Sequence, residues 1–159
     1  MTQLRFLWVG KTQKGFVQEG LDHYLQRIRG FMPVEVVDVR PADHSGRDPA
    51  QALRIEGEAL LKRLEGESAV VILDERGTQV TSPKLAERLT ALREQGSATI
   101  TFVVGGAYGL DAAVKARARF TLALSPLTFP HQLVRVILAE QVYRALTISA
   151  GQPYHHGGT

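Results

Sequence analysis

Apolar runs of strand length alternate along the chain with longer segments in which apolar residues recur at helical spacing. Runs rich in Val, Ile, Leu or Phe predict five strands, at 4–9, 34–39, 69–74, 99–104 and 120–124. Segments with apolar residues three and four positions apart predict amphipathic helices at 17–28, 53–64 and 85–92. A longer helix is predicted at 131–149.

Residues typical of helix ends support these boundaries. Asp48-Pro49 and Ser82-Pro83 each place a capping residue before a proline at the first helical position. Gly30, Gly66 and Gly96 stand where the first three helices are expected to stop. The loop 40–49 reads as a surface connection and not as a domain boundary, so a single domain over 1–159 is expected.

The strands differ from those of a half-exposed sheet, because AVVILD (69–74) and TITFVV (99–104) are apolar at nearly every position. Such runs indicate strands buried on both faces, as in a parallel sheet covered by helices on either side. The prediction is an α/β three-layer sandwich with a mainly parallel sheet.

The helix predicted at 131–149 has no wide polar face when its residues are placed 100° apart. A helix that is apolar all round needs cover all round. A sheet can cover one side, and a second subunit the other, which predicts a homodimer. Complete burial of the helix in the core of its own chain is the alternative.

Composition is that of an ordinary globular domain, with 44% hydrophobic and 22% charged residues. The absence of Cys excludes disulfides, zinc fingers and thiol catalysis. No signal peptide or membrane span is recognisable, which predicts a cytoplasmic protein. Residues 112–159 carry 5 Lys or Arg against 1 acid, whereas 1–111 are balanced. This excess of positive charge indicates either a surface that binds a polyanion or a surface that only keeps the protein in solution.

Two loops at successive strand ends are candidates for a binding pocket. VVGGAYG (103–109) is a glycine-rich turn that follows a buried strand, and a helix is expected to begin near Leu110. Its GGxxG spacing departs from GxGxxG, and no acid lies about 20 residues later to hold a ribose. The next strand leads into LSPLTFPH (124–131), and Leu73 points to the same sheet edge. Tight turns without a ligand are the alternative.

The tail QPYHH (152–156) follows a helix that carries Arg135 and Arg144. Tyr can stack on a base, Arg can pair with phosphate and His exchanges protons near neutrality, so the tail is a candidate for RNA contact. A frayed terminus without function is the alternative. Adjacent His residues without a third ligand do not predict a metal site.

The segments VVGGAYGL, LSPLTFPHQLVRVILAEQVYRA and QPYHH resemble those of the RlmH family of ribosomal RNA large-subunit pseudouridine N3-methyltransferases. LRFLWVGK (4–11), LDHYLQRI (21–28) and ILDERG (72–77) extend the resemblance over nearly the whole chain. It implies a homodimeric methyltransferase of the SPOUT class with a C-terminal α/β (trefoil) knot, although threaded chains are rare among folds. It also implies S-adenosylmethionine as the cofactor and a pseudouridine in a hairpin loop (helix 69) of 23S rRNA, on assembled ribosomes, as the substrate.

The resemblance implies that the cofactor contacts a set of pocket residues, namely Leu73, Gly105, Leu124, Ser125, Pro126, Leu127, Thr128 and Phe129. Methyl transfer to an imide nitrogen mainly requires alignment and loss of a proton. The candidates for assisting that step are His131, Tyr154 and His155, with Arg144 offsetting negative charge.

The chain departs from the family pattern in two places. The glycine-rich loop reads GGAYG where relatives often have Pro or Ser and then an acid or Asn, and the tail continues into 156–159 where a final basic residue is usual. A non-enzymatic RNA-binding module remains an alternative, as does a flavodoxin-like hydrolase or oxidoreductase, although the residues such enzymes need are missing.

Overall fold

The computed structural model describes residues 1–43, 45–46 and 48–157, so two positions of the 40–49 loop and positions 158–159 lie outside the described residues. Strands and helices alternate as the pattern predicts. In order, they are β1 (Gln3–Val9), α1 (Phe16–Arg29), β2 (Val34–Val39), α2 (Pro49–Arg63), β3 (Ala69–Gln79), α3 (Ser82–Glu94), β4 (Thr99–Val104), α4 (Ala112–Lys115), β5 (Phe120–Ala123) and α5 (His131–Ser149).

The five strands form one parallel sheet with the order β2-β1-β4-β3-β5. β1 lies between β2 and β4, with Phe6 paired with Val36 on one side and with Phe102 on the other. The buried strands at 69–74 and 99–104 lie inside the sheet, because their Val and Ile side chains need cover on both faces. The carboxyl ends of all five strands meet at one edge.

Helices cover both faces of the sheet, which confirms the predicted three-layer sandwich. α1, α3 and α5 bury Leu21, Leu89 and Leu138 against one face, together with Phe6 and Phe102 of the sheet. On the other face, α2 and α4 bury a second cluster, which includes Leu7, Leu60, Leu64, Ile72, Val103 and Val114. The domain therefore has a core on each side of a sheet that is buried throughout its centre.

Two helix starts differ in detail from the prediction. Asp48 caps α2 as expected and accepts a hydrogen bond from the Ala50 amide. Ser82, however, is the first residue of α3, and its cap is Thr81, whose hydroxyl accepts from the Lys84 amide at 3.2 Å. The helix expected near Leu110 is only the four-residue α4, which starts at Ala112.

β3 is longer than predicted, because it continues to Gln79 through a register shift between Leu73 and Thr78, both of which pair with Leu122. Gly77 permits this, since a Cβ at Gly77 would lie 2.7 Å from the Thr121 carbonyl oxygen. The charged residues 74–76 ended the apolar pattern and so concealed the continuation. β5 ends one residue earlier than predicted, at Ala123.

α5 has the predicted bounds and packs between α1 and α3 on the sheet. One side of it is fully buried, including Leu138, Val142 and Leu146, whereas Ile137 and Ile148 on other sides are only half-buried. The predicted dimer remains a prediction. None of the helices in the described part of the chain is long and apolar enough to cross a bilayer.

Candidate functional site

A pocket of about 270 Å³ opens at the carboxyl edge of the sheet, beside residues 73–75 of β3 and the ends of β4 and β5. The two loops predicted to share a ligand line it together. Seven of the eight residues expected at the cofactor lie in its wall, namely Leu73, Gly105, Leu124, Ser125, Leu127, Thr128 and Phe129. Pro126, the eighth, is exposed and does not line it. His131 also borders the pocket.

The glycine-rich loop forms one wall of this pocket through a tight turn. The Gly109 amide donates to the Gly106 carbonyl at 3.1 Å, and Gly109 has a φ of +86°, which L side chains rarely adopt. A Cβ at Gly105 would lie 2.5 Å from the Gly109 carbonyl oxygen. Glycine at 105 is therefore required for the loop to close on itself, whatever the pocket binds.

Charged residues that the sequence reasoning missed stand at the rim of the pocket. Asp74, Glu75 and Lys115 all line it, and Lys115 Nζ lies 3.0 Å from Asp74 Oδ2. Burial alone would raise the pKa of Asp74, but the Arg76 amide and the Lys115 ammonium outweigh that effect and hold this pKa below its ordinary value. The acid at this pocket therefore comes from β3 and not from the segment that follows the glycine-rich loop.

His131, at the start of α5, is the one predicted catalytic residue in this pocket wall. Burial and the nearby Arg135 guanidinium hold the pKa of His131 below its ordinary value, and the Glu56 carboxylate opposes this only in part. Its imidazole is therefore neutral near pH 7 and can accept a proton.

Arg135 does not offer its charge to phosphate, as its place in a basic C-terminal segment had suggested. It is fully buried, with its guanidinium 4.7 Å from the centre of the Trp8 ring. It donates to the Val9 carbonyl at 2.8 Å and to the Thr12 hydroxyl at 3.0 Å. Burial lowers the pKa of Arg135 to about 10, with Asp38 acting in the opposite direction.

The remaining predicted catalytic residues meet at the other end of α5. Glu140 accepts hydrogen bonds from Arg144 at 3.1 and 2.7 Å to one carboxylate oxygen and at 3.4 Å to the other, and it accepts one from the Tyr154 hydroxyl at 2.8 Å. The Tyr154 ring lies 4.8 Å from the Arg144 guanidinium and packs edge-on against Tyr143. The described part of the tail is thus bound to the helix. Glu140, which organises the cluster, was not among the predicted residues.

Arg144 also determines what His155 can do in this arrangement. An Arg side chain only donates hydrogen bonds, so its contact of 3.1 Å with His155 Nδ1 requires that nitrogen to accept. A neutral His155 ring then carries its proton on Nε2, which is buried and has no partner among the described atoms. The Nδ1 lone pair of His155 is therefore engaged by Arg144, and Nε2 is not exposed to a ligand in this arrangement.

The hydroxyl of Tyr154 is a donor. Burial, followed by its hydrogen bond to the Glu140 carboxylate, raises the pKa of Tyr154 well above its ordinary value. The same hydrogen bonding from Glu140 raises the pKa of Arg144. Within the cluster, the charge of Arg144 is paired with the Glu140 carboxylate, and the single hydroxyl proton of Tyr154 is donated to Glu140.

The two sets of predicted catalytic residues are far apart within one chain. Thirteen residues of α5 separate His131 from Arg144, which corresponds to about 20 Å along a helix. Among the described residues, no group of three or more His, Cys, Asp or Glu side chains is placed to hold a metal ion.

Comparison with known proteins identifies the fold and the family. The family model described as "Predicted SPOUT methyltransferase" matches residues 2–155. The chain belongs to the SPOUT methyltransferase family. It is also 45% identical to a "Ribosomal RNA large subunit methyltransferase H" of Geotalea daltonii over 97% of this chain and 99% of the relative. A protein of the same name from Geobacter metallireducens is 46% identical over the same shares.

Solved structures agree with a SPOUT fold. A probable methyltransferase from Bordetella pertussis superposes with a TM-score of 0.55 at 15% identity, covering 90% of this chain and 95% of that one. A tRNA (m1G37) methyltransferase from Aquifex aeolicus gives a TM-score of 0.53 at 18% identity, covering 98% and 76%. Together with the parallel sheet, these matches support the knotted α/β class expected from the resemblance. Family membership does not favour the flavodoxin-like alternative.

The role of Glu140 in the cluster that it forms with Arg144, Tyr154 and His155 can be tested through the ionisation of Tyr154. Glu140→Gln removes the carboxylate that contributes to the high pKa of Tyr154, so Tyr154 should ionise at a lower pH than in the wild type. Phenolate absorbance measured against pH, with a Tyr154→Phe variant to subtract the other tyrosines, reports this shift. Glu87→Gln, on the exposed surface of α3, is the matched control. An unchanged Tyr154 titration would contradict the role of Glu140.

Proposed function

We propose that this protein is an S-adenosylmethionine-dependent methyltransferase that modifies N3 of a pseudouridine in a hairpin loop (helix 69) of 23S rRNA, on assembled ribosomes in the cytoplasm. The observation that carries the proposal is the pocket of the SPOUT fold, formed by seven of the eight residues expected at the cofactor. The names of relatives at about 45% identity over nearly the full chain support large-subunit rRNA as the substrate.

The chemistry of the pocket suits the proposed cofactor. Leu73, Leu124 and Phe129 offer apolar walls for an adenine, and the turn at 105–109 brings backbone close enough to bond its edge. Asp74, whose low pKa keeps it ionised, can accept hydrogen bonds from ribose hydroxyls or from an ammonium group. When bound, S-adenosylmethionine supplies a methyl group on a sulfonium, which is a good leaving group.

The protein must then align the pseudouridine nucleobase and help its weakly acidic imide nitrogen to lose a proton. His131 is the proposed base, because it lies in the pocket wall and is neutral near pH 7. Arg144 would offset the negative charge that develops on the pseudouridine nucleobase. Tyr154 and His155 would assist at the carbonyl oxygens of the nucleobase after a rearrangement of the tail, because Tyr154 now donates its one hydroxyl proton to Glu140 and His155 Nε2 is buried.

These roles require a second chain, since about 20 Å of α5 separates Arg144 from His131 within one chain. We therefore infer a homodimer in which the tail cluster of one subunit faces the cofactor pocket of the other. The half-buried apolar side chains of α5, such as Ile137 and Ile148, provide surface for such a contact.

Cofactor binding tests the pocket directly. Gly105→Ala forces a methyl group against the Gly109 carbonyl and should displace the loop, so calorimetric affinity for S-adenosylmethionine should fall by at least tenfold. Ala113→Ser, at an exposed position of α4 outside the pocket wall, should bind normally. Thermal unfolding of both variants shows whether the fold persists. A wild-type protein that binds rRNA but no S-adenosylmethionine would instead support the alternative, a non-enzymatic RNA-binding module.

The substrate is tested with labelled S-adenosylmethionine and three forms of substrate, namely isolated 23S rRNA, large subunits and whole ribosomes. We expect label mainly in whole ribosomes, at a single nucleotide in the helix 69 loop. Ribosomes that lack the pseudouridine show whether a uridine is accepted. Label at another nucleotide, or only in free rRNA, would contradict the proposed substrate.

Mixed dimers test whether the site is shared between subunits. One chain carries Gly105→Ala, and the other carries Tyr154→Ala with His155→Ala; different affinity tags allow purification of the heterodimer. If each site combines the pocket of one chain with the tail of the other, one site in the heterodimer is intact, and about half of wild-type activity returns. If each chain forms its own site, both sites stay defective and activity does not return.

A further inference from the structure

The loop between β1 and α1, residues 10–15, lies at the same sheet edge as the pocket and is not used in the function proposed above. It is bounded by Gly10, with a φ of +83°, and Gly15, with a φ of +100°. L side chains rarely adopt such angles, so both glycines allow turns that few other residues would permit. Between them lie Lys11 and Lys14, both exposed.

The backbone of this loop is held by two buried polar side chains of α5. The Gln132 side chain accepts a hydrogen bond from the Gln13 amide at 2.9 Å and donates one to the Lys11 carbonyl at 3.1 Å. Arg135 donates to the Thr12 hydroxyl at 3.0 Å. Burying such groups costs free energy unless they are bonded, so these contacts hold the loop in one conformation.

The fixed loop directs charge and one aromatic ring toward solvent. In the described part of the chain, neither Lys11 nor Lys14 forms an ion pair. Phe16, which begins α1 directly after the loop, is 76% exposed. An exposed aromatic ring offers a face on which a base can stack, and flanking ammonium groups attract anions.

The loop is a near neighbour of the cofactor pocket. β1 pairs with β4, and a Cβ at Gly106 in the glycine-rich turn would lie 3.4 Å from Val9, the last residue of β1. The residues of α5 that hold the loop, Gln132 and Arg135, alternate with His131 and Val134, which line the pocket. A substrate that reaches the pocket therefore passes close to the loop.

We propose that the segment 10–16 is an RNA-binding surface, in which Lys11 and Lys14 contact phosphates and Phe16 stacks on an unpaired base next to the target nucleotide. This inference rests on the proposed function, since it assumes an RNA substrate with splayed loop bases. A protein partner fits less well, because Lys is depleted from the centres of protein interfaces while phosphate contacts use it.

Binding of a hairpin RNA with the helix 69 sequence, measured over a range of salt concentrations, tests the surface. Lys11→Ala with Lys14→Ala should weaken binding about tenfold or more and should make the slope of log K against log salt shallower by about 1.4, the value for two single-strand phosphates. Phe16→Ala should weaken binding about tenfold without changing the slope.

The matched control is Lys62→Ala with Arg63→Ala, which removes the same charge from the exposed end of α2, at the opposite edge of the sheet. S-adenosylmethionine affinity and thermal stability should be unchanged in all variants. If the loop variants bind RNA like the control while the wild type methylates its substrate, the inference fails and the proposed function stands. If the loop variants instead dissociate into monomers, the segment is a subunit contact and the inference is wrong. A wild type that binds no rRNA overturns both proposals.

Discussion

The buried guanidinium of Arg135 is the interaction on which the functional end of the molecule depends. A charge at 0% exposure is expensive, and no carboxylate of the described chain pairs with it. The face of Trp8, the Val9 carbonyl and the Thr12 hydroxyl stabilise it instead. These contacts fix the beginning of α5 against the end of β1. They therefore also fix His131 in the pocket wall.

The same charge links several properties of this region. Arg135 contributes to the low pKa of His131, and so it helps to keep a neutral proton acceptor beside the cofactor pocket. It also holds Thr12, and with it the loop that exposes Lys11. One buried cation thus positions His131, contributes to its low pKa and supports a neighbouring loop.

The main features of the fold could be predicted from the sequence, because strands buried on both faces are apolar at nearly every position, as in AVVILD and TITFVV. The pocket loops could also be found, since glycines and turn residues at strand ends are local signals. The continuation of β3 through Gly77 could not be predicted, because it depends on pairing with Leu122 across the sheet. The cap at Thr81 was missed because neighbouring hydroxyls are equivalent in sequence.

Side-chain partners over long separations explain the remaining differences at the site. Arg135 and Arg144 have the same residue type and lie on one helix, yet one is a core residue and the other organises the tail. Helical spacing alone cannot distinguish them, because α5 is apolar on most of its surface. Asp74 was overlooked since it reaches the pocket only through the sheet order, which places β3 between β4 and β5.

The proposed proton acceptor, His131, and the cluster around Glu140 lie at opposite ends of α5. Tyr154 and His155 are held as donors by Glu140 and Arg144, so neither is suited to take the imide proton while the cluster is intact. His131 is held as an acceptor at the opposite end of the helix. If His131 takes the proton of the nucleobase as proposed, Arg144 can approach the resulting negative charge only when the two ends of α5 meet across a subunit boundary. Dimerisation would then be a chemical requirement rather than only a source of stability.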